Sequence, residues 1–315
     1  MFRRLVVAAL LLSGPVAAYP ISPRTLVTQV QEAELVVVAK VDSVSELRER
    51  DENWNSAVAH LEVVETWKGS APERLDVPFA ASMICPAPPR YLEGETVLAF
   101  LSWRKGRWST DGLSYGTLYP SVDEWPVLKS AAHAILGVRP GDADAHAALL
   151  VELSTRRATR WDGLFELAAG GDRIHDFYRR KAPQGDARKL TAGQLKTIAV
   201  AFVDEPSADQ TLTMELALLR GHPDKAFDRS VAGVFDALLE GDELPWWFAE
   251  AFDLGVARLA PGAATPAHEA FSEPDVKVYR QAWAPLRKRL ELDGPIPKVK
   301  LPSFGAPGVG RRTPS

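Results

Sequence analysis

The six histidines are the first candidates for a metal or catalytic site, because imidazole is a common metal ligand and a general base near neutral pH. They are scattered along the chain, at His60, His133, His146, His175, His222 and His268. No H-E-x-x-H motif or similar pair occurs among them. The densest group is Asp172, His175 and Asp176, which a helix would place on one face; an exposed helix start rich in acids gives the same pattern. The sequence therefore predicts no metal site.

Nucleophilic side chains give no recognised catalytic motif either. Cys85 is the single cysteine, which excludes an internal disulfide, and no motif places a histidine beside it. The run from Ser102 to Lys105 matches the S-x-x-K form of penicillin-recognising enzymes, but that serine must open a helix and this one ends a predicted strand. Fingerprints for dinucleotides, phosphates and G-x-S-x-G hydrolases are absent. No catalytic residue and no cofactor is predicted, although catalytic groups that converge only in space remain open.

Basic residues are concentrated in the middle of the chain. Residues 156–189 contain nine basic side chains and five acidic ones, whereas residues 204–253 contain twelve acids and three bases. The first run could form a surface for an anionic partner. The alternative is that both runs are solvated helix faces. The predicted binding residues in the basic run are Arg156, Arg157, Arg160, Arg179 and Arg180.

Two tryptophans form a second candidate for binding. Trp246, Trp247 and Phe248 open a predicted helix together, so they cannot all face one core. One of the two residues Trp246 and Trp247 is therefore predicted to contact a partner or a neighbouring domain, since tryptophan at such contacts often keeps one edge in water. Packing between helices is the alternative.

The composition is that of an ordinary globular protein. The chain has 315 residues, of which 46% are hydrophobic and 25% charged, and two domains are expected for this length. The net charge of −4 does not favour nucleic-acid binding.

The first residues have the pattern of a secretory signal. Arg3 and Arg4 precede an apolar run over Leu5–Leu12, and small residues at Val16 and Ala18 fit a cleavage before Tyr19. The apolar run is far shorter than the ~20 residues that span a bilayer. The sequence thus predicts a signal peptide over residues 1–18, no transmembrane segment, and a periplasmic or secreted mature chain.

Period-two patterns between residues 34 and 120 predict a small β-barrel. Strands are expected over Glu34–Leu47, from Trp54 to Gly69, over Leu75–Phe79 and over Thr96–Trp103, and a last one follows in the stretch that ends at Pro120. The first strand has apolar residues on both faces at one end, which suits a long, curved strand. Five strands of this kind predict an OB-type barrel domain over residues 19–121.

These strands carry a family resemblance. One strand ends in Trp67-Lys-Gly69, Cys85 follows, Gly94-Glu95 precede Val-Leu-Ala-Phe, and Tyr115-Gly-Thr comes last. This order resembles that of bacterial secreted members of the tissue-inhibitor-of-metalloproteinase-like (netrin-type) OB-fold superfamily. The resemblance covers about a third of the chain and implies a fold. Animal inhibitors of that family bind the protease zinc through an N-terminal cysteine. The predicted mature chain begins with Tyr19, so the inhibitory mechanism is not transferred.

After Ser121 the hydrophobic period changes to that of helices. Helices are predicted over Asp123–Leu136, Ala143–Ser154, Arg160–Ala169, Asp172–Lys181, Thr191–Val203, Ala208–Arg220, Lys225–Leu239, Pro245–Leu259 and Pro274–Leu290. Helix pairs starting 31 to 37 residues apart are typical of a HEAT-like array, although no residue pattern repeats. The predicted fold is thus α+β, with the barrel followed by an all-α domain over residues 122–292 and a disordered tail over residues 293–315.

These patterns favour a non-enzymatic exported protein that binds a protein or an anionic envelope polymer. The alternative is an envelope hydrolase with a site between the two domains. Inhibition of metalloproteases, implied only by the resemblance, is the least favoured function.

Overall fold

The computed structural model describes residues 23–49, 54–83, 87–167, 190–268, 272–291 and 294–299. The predicted signal peptide, Cys85, and the predicted helix Asp172–Lys181 with its Asp172, His175 and Asp176 group lie outside these residues. A short helix, α1 (Leu26–Glu32), comes first. The strands follow as β1 (Leu35–Glu46), β2 (Ala57–Lys68), β3 (Arg74–Phe79), β4 (Thr96–Arg104), β5 (Arg107–Thr110) and β6 (Thr117–Leu118).

The strands form one antiparallel sheet that is nearly closed into a barrel. Its strand order is β3-β2-β1-β4-β5, β6 pairs with β4, and the two end strands β3 and β5 contact each other. The register between β1 and β2 shifts at three points, the last between Val41 and Ser43. Such bulges bend a strand and increase its twist, which lets the long β1 curve around the barrel.

The two apolar faces of β1 serve two different cores. Leu35, Val37 and Ala39 lie in the hydrophobic cluster inside the barrel, whereas Val36 and Val38 lie in a cluster on the outside of the sheet. Because side chains alternate along a strand, only a strand covered on both sides can bury both sets. The prediction that β1 is apolar on both faces is confirmed.

The outer cluster continues from the sheet into the helices. It includes residues of α1 and of the helices α2 (Glu124–Gly137), α3 (Ala143–Thr155), α4 (Arg160–Leu167), α5 (Ala192–Asp204), α6 (Thr211–Leu218), α7 (Lys225–Glu240), α8 (Phe248–Leu259) and α9 (Val276–Glu291). At the junction, the rings of Trp67 and Trp125 meet edge to face with centroids 6.2 Å apart. The structure is therefore α+β, as predicted, with a barrel-like sheet followed by helices.

Two predicted helices begin later than expected. Helix α6 begins at Thr211 rather than Ala208, because the Asp209 carboxylate accepts hydrogen bonds from the backbone nitrogen and hydroxyl of Thr211 in a local turn. Helix α8 begins at Phe248 rather than Pro245, because the carbonyl of Pro245 accepts a hydrogen bond from the nitrogen of Phe248 in a turn before the helix.

The first part of the predicted tail is packed. Ile296 and Val299 lie against the outer hydrophobic cluster, and the Arg229 Nε donates a 3.1 Å hydrogen bond to the carbonyl of Pro295. At Gly233 of α7, an added Cβ would come within 2.5 Å of the carbonyl oxygen of Pro297. Disorder is thus the wrong prediction for residues 294–299, since the missing side chain of Gly233 leaves room for them against α7. The rest of the tail is outside the described residues.

In the part of the chain that the structure describes, no helix combines the length and the apolar character needed to cross a bilayer.

Candidate functional site

The hairpin between β4 and β5 presents two aromatic rings at its end. Trp103 and Trp108 are cross-strand partners, with ring centroids 5.2 Å apart and planes at 72°. Trp108 packs against the cluster inside the barrel, while 51% of the surface of Trp103 is exposed. We call the segment from Trp103 to Trp108 the tryptophan hairpin.

A tight turn makes the tryptophan hairpin rigid. Lys105 and Gly106 connect the strands with backbone φ angles of 51° and 81°. Two residues with positive φ form the type I′ turn, whose twist matches that of the flanking strands. Glycine adopts this conformation without a steric cost, and at the tip there is open space around Gly106.

Three cations occupy the same turn. Arg104 lies directly opposite Arg107 in the hairpin register, and Lys105 lies between them at the tip. By strand alternation, the arginines project from the face of the hairpin opposite to the tryptophans. The tip thus offers an aromatic side and a cationic side.

A buried carboxylate holds one of these cations in place. Asp111 is buried and accepts a 2.7 Å hydrogen bond from Arg104 Nη2, and the Ser102 hydroxyl donates to its other oxygen. About two thirds of the Arg104 side chain is nevertheless exposed, at 66%. The guanidinium is therefore oriented in advance while remaining accessible to an anion.

A second group of polar side chains crosses the outer face of the sheet. His60 of β2 contacts the Ser45 hydroxyl of β1 through Nε2 at 2.8 Å and the Asp76 carboxylate of β3 through Nδ1 at 2.7 Å. The side chain of His60 is 37% exposed and that of Asp76 is 74% exposed. These contacts connect a hydroxyl, an imidazole and a carboxylate in series, which is the order used in nucleophilic catalysis.

A shallow cleft of about 320 Å³ lies beside this series. His60 and Asp76 line it together with Asp42, Ser43, Leu61, Glu62, Arg74 and Leu75. The walls of the cleft thus carry three carboxylates, of Asp42, Glu62 and Asp76, and one guanidinium, of Arg74. The cleft lies on the sheet rather than between the sheet and the helices.

Three of the five predicted basic residues are described by the structure, and two of them are exposed. Arg156 is exposed and pairs with Glu152 at 3.3 Å, and Arg157 is exposed with Glu205 at 3.9 Å. Arg160 is buried, with only 4% of its surface exposed, so its predicted place on an exposed basic surface is wrong. Arg179 and Arg180 lie outside the described residues.

Arg160 is buried because acceptors from other helices surround it. Its Nη1 donates 2.7 Å hydrogen bonds to the carbonyl of Glu205 and to the Ser207 hydroxyl. Its Nε lies 3.7 Å from Glu215 Oε1, which makes an ion pair without a hydrogen bond. Burial raises the pKa of Glu215 to about 8, and the charge of Arg160 opposes that rise. This pair connects α4 with α6 and is not accessible to a large partner.

The two predicted tryptophans differ in burial. Trp247 is 5% exposed and belongs to the outer hydrophobic cluster, against which the half-buried Trp246 packs. Packing between helices thus accounts for Trp247, whereas contact of the partly exposed Trp246 with a partner stays a prediction.

Sequence reasoning gave neither feature of the sheet a function. The tryptophan hairpin had a readable signal, because two tryptophans flank Arg-Lys-Gly-Arg with Lys-Gly at the turn. The series through His60 had none, since it depends on the register of three strands.

Comparisons with known proteins do not assign the chain to a family. No protein-family model matches the chain, and a search of curated proteins found no match. In the described part of the chain, no group of three or more His, Cys, Asp or Glu side chains is arranged to hold a metal ion.

Proposed function

We propose that this chain is an exported protein that binds an anionic polymer or protein through the tryptophan hairpin. The observation that carries the proposal is Arg104 directly opposite Arg107, with Lys105 at the turn between them. Asp111 pairs with the Arg104 guanidinium from beneath, and a bound anion would contact the two thirds of that side chain that remain exposed.

The aromatic side of the hairpin supports the same role. Tryptophan and arginine are the side chains most enriched where binding energy is concentrated. Trp103 is held by Trp108 in an edge-to-face pair and yet remains half exposed, so it loses little conformational freedom when a partner covers it.

Other features support the proposed location and fold. The basic start, apolar run and small residues before Tyr19 support export. The strand order supports an OB-type barrel. Helix α3 packs against α4 and also against α5, which is the neighbour-to-neighbour packing expected of a HEAT-like array.

The test uses retention of the predicted mature chain, residues 19–315, on immobilised heparin and on immobilised polyphosphate. The hairpin variant Arg104→Ser/Arg107→Ser should elute from both at lower salt than the wild type. Arg139→Ser/Arg220→Ser is the control with equal charge, because both of its arginines are exposed and lie in the helical region. Equal losses in the hairpin variant and the control would show a general charge effect and contradict the proposal.

Two further variants locate the surface. Trp103→Ala keeps the charge and should weaken retention on heparin more than on polyphosphate, because only the former offers sugar rings for contact with the indole. Arg156→Ser/Arg157→Ser tests the basic surface predicted from the sequence. If only that variant lost retention, the binding site would lie on the helices and not on the hairpin.

A further inference from the structure

Ser45, His60 and Asp76 lie on one face of three neighbouring strands. His60 pairs in register with Asp76 on β3 and with Ser43 on β1. Ser45 lies two residues after Ser43 on the same face of β1, so Ser45, His60 and Asp76 face the same way. The bulge between Val41 and Ser43 sets this register. Ser45 is therefore the diagonal neighbour of His60, a spacing that lets its hydroxyl reach the far edge of the imidazole ring.

The two ring nitrogens of His60 have different partners. A carboxylate only accepts hydrogen bonds, so the 2.7 Å contact from Nδ1 to Asp76 requires a proton on Nδ1. In a neutral imidazole Nε2 is then the free base, and it lies 2.8 Å from the Ser45 hydroxyl oxygen. This tautomer is the one that accepts a proton from a serine nucleophile.

The strand that carries Ser45 is held from the side. The Glu93 carboxylate accepts a 2.7 Å hydrogen bond from the backbone nitrogen of Val44, the residue before Ser45. The backbone nitrogen of Leu47 donates a 2.9 Å hydrogen bond to the carbonyl of Ser56. These contacts fix the backbone on both sides of Ser45, so its side chain does not depend on a mobile loop for its position.

The cleft is lined by His60 and Asp76 but not by Ser45, so an ester attacked by Ser45 would lie at the edge of the cleft. Its volume of about 320 Å³ is at the lower end of the ~300–1,000 Å³ that is typical of ligand sites. The carboxylates of Asp42 and Glu62 at its walls disfavour an anionic acyl group. A small, neutral ester is therefore the class of substrate that fits.

We propose that Ser45 is an acylation site for small activated esters, with His60 as its general base and Asp76 as a positioning residue. The Ser45 oxygen attacks the ester carbonyl while His60 Nε2 takes the hydroxyl proton. The bond to the leaving alkoxide then breaks, and His60 returns the proton to that oxygen. Water, activated in the same way by His60, releases the acid and restores the serine, so the overall reaction is ester hydrolysis.

The openness of the site sets the expected rate. His60 and Asp76 are in contact with solvent, and interactions between exposed charges are screened. We therefore expect both acylation and deacylation to be slow, so that acyl-serine is present during turnover.

The test treats residues 19–315 with p-nitrophenyl acetate and follows nitrophenolate release and the mass of the protein. One acetyl group should be added, and peptide mapping should place it on Ser45. Ser45→Ala should abolish this label. Ser109→Ala is the control, because Ser109 lies on another strand, β5, is half exposed and does not line the cleft, so its loss should leave the label unchanged.

The roles of the other two residues have separate readouts. His60→Ala should slow the labelling by ~10²-fold, the usual effect of a general base. Asp76→Asn should slow it while leaving the label on Ser45, and Asp76→Glu should restore part of the rate. Thermal unfolding checks that each variant is folded. Labelling on lysine, or labelling of Ser45 that proceeds equally fast in folded His60→Ala, would overturn the proposal.

The result of the acylation test does not depend on whether the tryptophan hairpin binds an anion. The tryptophan hairpin contributes no side chain to the cleft, so its variants should be acetylated as the wild type is.

Discussion

Asp162 Oδ1 accepts a 2.5 Å hydrogen bond from the backbone nitrogen of Leu26, 136 positions earlier in the chain. Both residues are buried. Leu26 is the first residue of α1, where backbone N–H groups have no partner within the helix. At the other end of α1, the ammonium of Lys68 donates 2.9 Å hydrogen bonds to the carbonyls of Val30 and Gln31. A carboxylate from α4 and an ammonium from β2 thus complement the two ends of the helix dipole.

Removing the carboxylate should destabilise the whole fold. Asp162→Ala leaves the buried N–H of Leu26 without its acceptor, and such a group costs ~1–3 kcal/mol of the free energy of unfolding. Asp144→Ala is the control, because Asp144 also lies in the first turn of a helix but is exposed. Urea denaturation measures both. Equal effects of the two substitutions would mean that the contact between Asp162 and Leu26 contributes nothing beyond a helix dipole.

Two glycines in helices should respond to alanine in opposite directions. At Gly163 a Cβ would lie 2.5 Å from the Leu150 carbonyl oxygen and from the backbone nitrogen of Ser154, atoms that cannot turn away. Helices α3 and α4 would have to separate, so Gly163→Ala should cost ~1–3 kcal/mol. At Gly193 the nearest atom is the Thr191 hydroxyl at 3.9 Å, so Gly193→Ala should stabilise by up to ~1 kcal/mol.

Midpoints of thermal unfolding test this pair. An unchanged midpoint for Gly163→Ala would contradict the packing of α3 on α4, and a lower midpoint for Gly193→Ala would contradict the open space around Gly193.

Glu215 should make stability depend on pH. Its carboxyl has an ordinary pKa of 4.5, and burial raises that pKa to about 8 in the folded protein, against the opposing charge of Arg160. Between these pH values the folded chain holds a proton that the unfolded chain has released. The contribution of Glu215 to the free energy of unfolding is therefore fully present below pH 4.5. It falls as the pH rises toward 8, by at most ~1.4 kcal/mol per pH unit.

The variant Glu215→Gln isolates this effect, because the other titrating groups are common to both proteins. Denaturation at pH 5, 6, 7 and 8 should show the variant gaining stability relative to the wild type as the pH rises. A difference that stayed constant across this range would mean that Glu215 is ionised in the folded protein throughout.

Asp111 beneath the tryptophan hairpin should contribute more to the free energy of unfolding than Trp103 on its surface. Asp111→Ala removes the acceptor of Ser102 and Arg104 and should lower the free energy of unfolding by ~1–3 kcal/mol. Trp103→Ala should cost less, because Trp103 is half exposed. Urea denaturation compares the two; a larger loss in Trp103→Ala would show that the ring is a structural residue rather than a binding one.

Periodicity was sufficient for the sheet and most helices, but not for the sites. The alternation in β1 predicted its two buried faces, because burial on either side of a strand is a local property of the sequence. The burial of Arg160 could not be read in this way, since its acceptors come from Glu205, Ser207 and Glu215, at least 45 residues later. Counting charges along the chain therefore assigned a core arginine to a surface.

The series through His60 was hidden for a related reason. Its partners are 15 and 16 positions away on different strands, and the bulge in β1 determines which serine meets the ring. A bulge has no reliable signature in a single sequence. The tryptophan hairpin, in contrast, is a local feature, and Lys-Gly between two tryptophans could have predicted it.

The most direct test of the proposed function is the salt dependence of binding between residues 19–315 and soluble heparin, measured by titration calorimetry. Each cation that contacts a polyanion releases condensed counterions, so the slope of log K against log salt reports the number of contacts. Arg104→Ser/Arg107→Ser should reduce the magnitude of this slope by about two. Arg139→Ser/Arg220→Ser should leave it unchanged. An unchanged slope in the hairpin variant, or an equal reduction in the control, would contradict binding at the tryptophan hairpin.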